Sequence, residues 1–290
     1  MKLTRLGIGR WNGRRWIRRR VAQTLGLQGD LQICWAPQLP IIYISNAKSG
    51  CSTIKNSLKH AQANFYTNNN IRDFRRESDP HVSDDCLRSL GVPIGSCRAR
   101  YVISSVRNPY ARALSGYLDM VEGRHLGQYP ELRSKSTARF EDHLQALASR
   151  PPRMLNVHFR PQHLNIGAPH IPYDAIFFLE NIATMTAVLA RPLGGFSLHT
   201  YAPHARSAGS RLMSYYSQRA VELVQQIYAR DFQVFNYSTD ISESSRSPGA
   251  YLGLRGVVRR GADPLCEPEA GVSALIPIVR FQRLIEMRLI

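Results

Sequence analysis

The chain has 290 residues, 43% of them hydrophobic, and a formal charge of +17. That length and apolar content exclude a disordered chain and allow one large domain or two small ones, while no apolar run approaches the ~18 residues of a membrane span. The charge calls for an anionic partner, which nucleic acid, a membrane surface or an anionic substrate can each supply.

Residues 1–30 read as a basic N-terminal arm. Six arginines fall between Arg10 and Arg20, interleaved with Trp11, Trp16 and Ile17. Such a segment is either solvated or in peripheral contact with an anionic membrane. It has no apolar h-region or small-residue cleavage site, so a secretory leader is not expected. LPIIYISN then reads as a first strand and Cys51 to Asn64 as the helix after it. FYTNNNIRDFRRESDP is polar and reads as loop, followed by a short helix from His81 to Leu90. RYVISSV, Arg100 to Val106, is rich in β-branched residues and reads as a second buried strand.

The best-marked helix lies in RNPYARALSGYLDMV. Asn108 is a favoured N-cap and Pro109 suits the first helical position. Tyr110, Ala113, Leu114, Tyr117, Leu118 and Val121 recur at helical spacing. Ala138 to Ser149 reads as a further helix, YDAIFFLEN as a third strand, and Ser210 to Arg230 as one long amphipathic helix. Strands alternating with helices predict an α/β fold, a central parallel sheet flanked by helices. The main domain is expected over residues 31–238, with residues 239–290 forming a linker and a tail that ends in an amphipathic helix. The five cysteines form no CxxC pair, which argues against a zinc site or disulfide framework and fits a reducing cytoplasm.

The turn AKSGCST follows the first strand directly. It is not GxxxxGK[ST], because Lys48 precedes Gly50 and no glycine stands at the upstream position. It is not GxGxxG, because Gly50 stands alone. What remains is a lysine heading a Ser/Thr-rich turn, either an ordinary strand–turn–helix or an anion site. In the second case Ser49, Gly50, Cys51, Ser52 and Thr53 hold a phosphate by backbone N–H and hydroxyl groups, and Lys48 reaches an oxygen beyond it. The second strand ends in Arg107, with Ser115 on the helix after it. Ligands of open α/β sheets sit at the carboxyl ends of strands, so one ligand with two phosphate-like groups can bridge both turns.

AKSGCSTIK resembles the 5′-phosphosulfate loop of sulfotransferases, and SSVRNPYARALSGY their 3′-phosphate motif. PHVSDDCLRSL, HFRPQHL, YDAIFFLENI and LVQQIYARDFQVFNYS resemble segments of the carbohydrate branch acting on chondroitin, dermatan and the HNK-1 glycan. The resemblance implies a sulfotransferase fold and 3′-phosphoadenosine 5′-phosphosulfate as donor, without a metal. It gives Lys48 the leaving-group charge, Arg107 and Ser115 the 3′-phosphate, and His81, in the HVS segment, the role of base. His158, Arg160 and Gln162 would contact a carbohydrate or glycolipid acceptor, with His158 the other candidate base. The chain lacks that branch's Cys pair after the RPQ segment and its membrane anchor, and Ala205 stands where an Asn is expected. These departures imply a bacterial cytoplasmic relative, for which the arm adds the expectation of peripheral contact with the membrane. The competing readings are a P-loop nucleotide kinase or hydrolase, and a basic module binding nucleic acid or membrane.

Overall fold

Three runs of β-branched and aromatic residues set the centre of the fold. The computed structural model describes residues 31–35, 38–68, 88–89, 101–122, 139–168, 171, 173–201, 208–253 and 258–259. Within these, β1 (Gln32–Trp35) precedes β2 (Ile41–Ser45), and β3 (Arg88–Ser89) precedes β4 (Tyr101–Val106) and β5 (Ala175–Phe178). Strands β2, β4 and β5 lie side by side and parallel. All three are buried along their length, as strands covered on both faces must be. Their side chains alternate between two cores. Ile42, Ile44, Val102, Val106, Ile176 and Phe178 enter one; Ile41, Tyr43, Tyr101, Ile103, Ala175 and Phe177 enter the other.

Antiparallel strands extend both edges. β1 pairs with β2 and β3 with β1, while β6 (Tyr251–Leu252) pairs with β5 and β7 (Val258–Arg259) with β6. The order is β3-β1-β2-β4-β5-β6-β7. Against one face pack Ile54 and Leu58 of α1 (Cys51–Asn68), with Met185, Val188 and Leu189. The other face is covered by α2 (Pro109–Tyr117), α3 (Phe140–Ala148) and the pair α6 (Ala208–Tyr215) and α7 (Gln218–Val234). Two further helices, α4 (Gln162–Ile166) and α5 (Thr184–Leu193), flank β5 in sequence. This is the α/β architecture the alternation predicts.

The departures have local causes. Arg88 and Ser89, expected in a helix, pair with Cys34 and Trp35 as a strand. The single helix expected from Ser210 to Arg230 is two helices, because Ser217 is extended and its hydroxyl accepts from the Ala220 N–H to start α7. The sheet also continues past residue 238: Tyr251 and Leu252, read as tail, are buried against β5. Residues 1–30 and 260–290, with the arm and the tail helix expected there, lie outside the described residues. No described helix is long and apolar enough to cross a membrane.

Candidate active site

The carboxyl ends of the neighbouring strands β2 and β4 each run into a turn and then a helix. At the first, Gly50 has φ 76, where an L side chain is strained, and a Cβ there would lie 2.7 Å from Leu179 Cδ1 and displace it. Its carbonyl accepts from the Ile54 N–H at 3.0 Å and starts α1. Cys51, Ser52 and Thr53 form the first turn, each half-buried, and no acidic side chain stands in it. The positive end of α1 is therefore not answered by a carboxylate of its own.

At the second turn Asn108 caps α2 as expected, its Oδ1 accepting from the Tyr110 N–H at 3.0 Å, with Pro109 next. The Arg107 guanidinium makes no hydrogen bond or ion pair among the described residues. Burial lowers its pKa, and the nearby Glu180 carboxylate opposes that shift. Glu180 is itself held by the Asn108 N–H and the Tyr237 hydroxyl, each at 2.8 Å. Arg107 is half-buried; a partly desolvated cation without a contacting anion is costly, and a bound dianion would relieve the cost. Ser115 lies further along α2, half-buried, and its hydroxyl is also without a partner among the described residues.

Gln162 joins the two turns from below. Its Oε1 accepts from Asn46 Nδ2 at 3.0 Å, the Ser49 hydroxyl at 2.9 Å and the Arg107 N–H at 2.9 Å. Its Nε2 donates to the Arg107 carbonyl at 2.7 Å. Gln162 is 0% exposed, and both of its side-chain polar atoms are engaged within the chain. Ser49 is also fully buried, and its hydroxyl bonds Gln162 and Asn46. The reason is local. Buried hydroxyls and amides must be paired, and Ser105 likewise donates to the Ser49 carbonyl at 2.7 Å. Asp231 of α7 fixes Gln162 by accepting from its N–H at 2.7 Å, and also takes the His163 N–H and ring Nδ1–H.

Two charged residues of the α2 segment hold the Lys48 turn. Arg112 is fully buried and donates to the carbonyls of Ala47 and Val157, each at 3.0 Å. Asp119, in a single π turn (Leu118–Glu122) after α2, accepts from Lys48 Nζ as an ion pair. Burial lowers the Lys48 pKa, and Asp119 opposes that shift.

The loop bearing His158 lies against α2 at Gly116, where a Cβ would be 2.8 Å from Phe159 Cε1 and 3.3 Å from the His158 carbonyl. The ring Nδ1 of His158 meets Asn156 Oδ1 at 2.7 Å, and the same oxygen accepts the His158 N–H. A carbonyl-type acceptor selects the Nδ1–H tautomer and leaves the lone pair on Nε2. Arg160 is half-buried with its Nε–H on the Leu155 carbonyl at 3.1 Å. His81 lies outside the described residues.

Sequence reasoning singles out Lys48, Arg107 and Ser115 and does not point to Asn46, Arg112, Asp119 or Asp231, which the structure packs around the two turns. Asp231 interrupts the apolar face of Val224, Ile227, Tyr228 and Phe235, the one available signal for a buried, paired charge. Asp119 lies in the π turn, seven residues after Arg112, whose guanidinium holds the Ala47 carbonyl beside Lys48. Among the described residues no group of three or more His, Cys, Asp or Glu is arranged to hold a metal. No curated protein and no solved structure matches the chain. A model of the sulfotransferase family matches residues 32–238, which span both turns, the Gln162 layer and all three parallel strands. The chain belongs to the sulfotransferase family.

Proposed function

We propose that the enzyme moves the sulfuryl group of 3′-phosphoadenosine 5′-phosphosulfate to a hydroxyl of a carbohydrate or glycolipid acceptor. The observation that carries this reading is the pair of cation-bearing turns on adjacent parallel strands, Lys48 after β2 and Arg107 after β4. A nucleotide with phosphates at both ends of its ribose suits them. The 5′-phosphosulfate would lie on the N-terminus of α1 with Thr53 and Ser52, and the 3′-phosphate on Arg107 and Ser115.

The acceptor oxygen attacks sulfur in line as the bond from sulfur to the phosphate oxygen breaks, and that oxygen leaves with the electron pair. Lys48 neutralises the growing charge there, the kind of interaction that stabilises the transition state more than the ground state. The acceptor proton goes to a histidine. His81 holds this role on resemblance; His158 has the tautomer of a base, with Nε2 as the accepting atom. Positive charge over the molecule draws both the nucleotide and an acidic glycan to the site.

The test is transfer of labelled sulfate from the donor to glycan and glycolipid acceptors in excess chelator. We expect labelled acceptor without added metal. Magnesium-dependent ATP turnover with no sulfate transfer would replace this reading by the kinase one.

A further inference from the structure

The pairing of Lys48 has no part in the reaction as described, and its construction is unusual at both ends. Lys48 has φ 65, in the left-handed region that non-glycine residues seldom occupy. Its neighbours are pinned: the Ala47 carbonyl by Arg112 at 3.0 Å, the Ser49 hydroxyl by Gln162 at 2.9 Å. Asp119 sits in a single π turn, a break in helical register that changes where a side chain projects. The helix that opens at the Arg107 turn thus ends by meeting the cation of the Lys48 turn. The two side chains are 11% and 12% exposed, so the pair is shielded rather than a surface ion pair.

We propose that Asp119 is a positioning residue for Lys48: its carboxylate holds the ammonium in the nucleotide-free enzyme and yields it to the donor's 5′-side phosphate oxygen on binding. This rests on the donor reading above. The geometry favours exchange over permanent pairing. Lys48 has a long flexible stem and a point charge that can turn from one oxygen to another, unlike the fork of Arg107. Burial alone disfavours the charged amine, so a carboxylate is needed to keep Lys48 an ammonium before the donor supplies its own negative charge. The other titratable groups facing Lys48 are Cys51, in the first turn of α1, and Arg107. Arg107 disfavours the ammonium, which leaves Asp119 as the strongest support.

Two measurements test this. Zero-length carbodiimide coupling of the wild-type enzyme should join Lys48 to Asp119, and saturating adenosine 3′,5′-bisphosphate should reduce that cross-link several-fold. Competitive acylation read by mass spectrometry should give a midpoint for the Lys48 amine that falls by about one pH unit or more in Asp119→Asn and Asp119→Ser. Asp119→Glu should hold it near the wild-type value. Adding the bisphosphate to Asp119→Asn should raise the midpoint again. No cross-link in the free enzyme, or an unchanged midpoint in both neutral variants, overturns the pairing. A cross-link and a shifted midpoint that both ignore the nucleotide overturn the exchange and the donor placement, while the pairing stands.

Discussion

The turns after β2 and β4 are built on one plan but keep their cations differently. Each follows a buried parallel strand and opens a helix, and Gln162 bonds to both. Yet Lys48 is paired with a carboxylate inside the chain, whereas the Arg107 guanidinium has no hydrogen-bonded partner among the described residues. The difference suits the two jobs. A point charge that must act during the reaction can wait on Asp119, while a rigid fork that only has to grip a dianion is best left open. On the proposed reading the site is a prepared holder beside a guarded catalyst.

The comparison breaks most sharply at Lys48. Lys48→Ala should lower kcat by roughly 100- to 1,000-fold, the scale of one lost charge-stabilising group; it also removes the cation paired with the shielded Asp119 carboxylate, so the variant should fold but unfold at a lower temperature. Turnover within a factor of two of wild type would remove Lys48 from the chemistry. Gln162→Leu tests what the turns share. It leaves the Asn46 amide, the Ser49 hydroxyl and the Arg107 N–H without their common acceptor in a dry layer, so stability to denaturant should fall by about 3 kcal/mol. Unchanged stability with a raised acceptor KM would assign Gln162 to acceptor binding.

His143 sharpens the contrast from the opposite direction. It is 1% exposed, its Nε2 has no hydrogen bond, and burial lowers its pKa to about 4. Unlike Lys48 it has no opposing carboxylate among the described residues, so the folded state keeps it neutral. With the unfolded value near 6.5, the unfolded chain takes up the proton first as pH falls. The contribution is full above pH ~6.5 and is lost progressively towards pH ~4, amounting to about 2 kcal/mol between pH 7 and pH 5. Denaturant unfolding at both pH values should show that decrement in wild type and lose it in His143→Leu; equal slopes in the two proteins would refute it. The smallest expected effect is at Ser115, where Ser115→Ala should weaken binding of the 3′-phosphate nucleotide by about 1 kcal/mol by calorimetry.

Much of this plan is legible in the sequence, and the exceptions share a cause. The three parallel strands show as β-branched runs, and α2 shows through Asn108, Pro109 and its apolar spacing, because each is specified by neighbours in the chain. Lys48 and Arg107 are visible for the same reason, standing where a strand ends and a helix starts. What the sequence hides is long-range pairing. Arg88–Ser89 and Tyr251–Leu252 are too short to signal a strand and exist only because a partner edge is there. Gln162 and Ser49 look like exposed motif residues until the fold closes them onto Asn46, Arg107 and each other. Asp119 pairs with Lys48, 71 positions away, a contact that no local pattern marks.

The central claim is that the Arg107 turn recognises a 3′-phosphate beside a separately prepared 5′ site. Calorimetry of adenosine 3′,5′-bisphosphate and adenosine 5′-phosphate, on wild type and Arg107→Ala, tests it most directly. The account predicts that the substitution weakens the bisphosphate by about 2–3 kcal/mol, as for a lost charged hydrogen bond, and leaves the monophosphate nearly unchanged. An equal loss for both ligands, or a wild-type enzyme that does not prefer the bisphosphate, would contradict it.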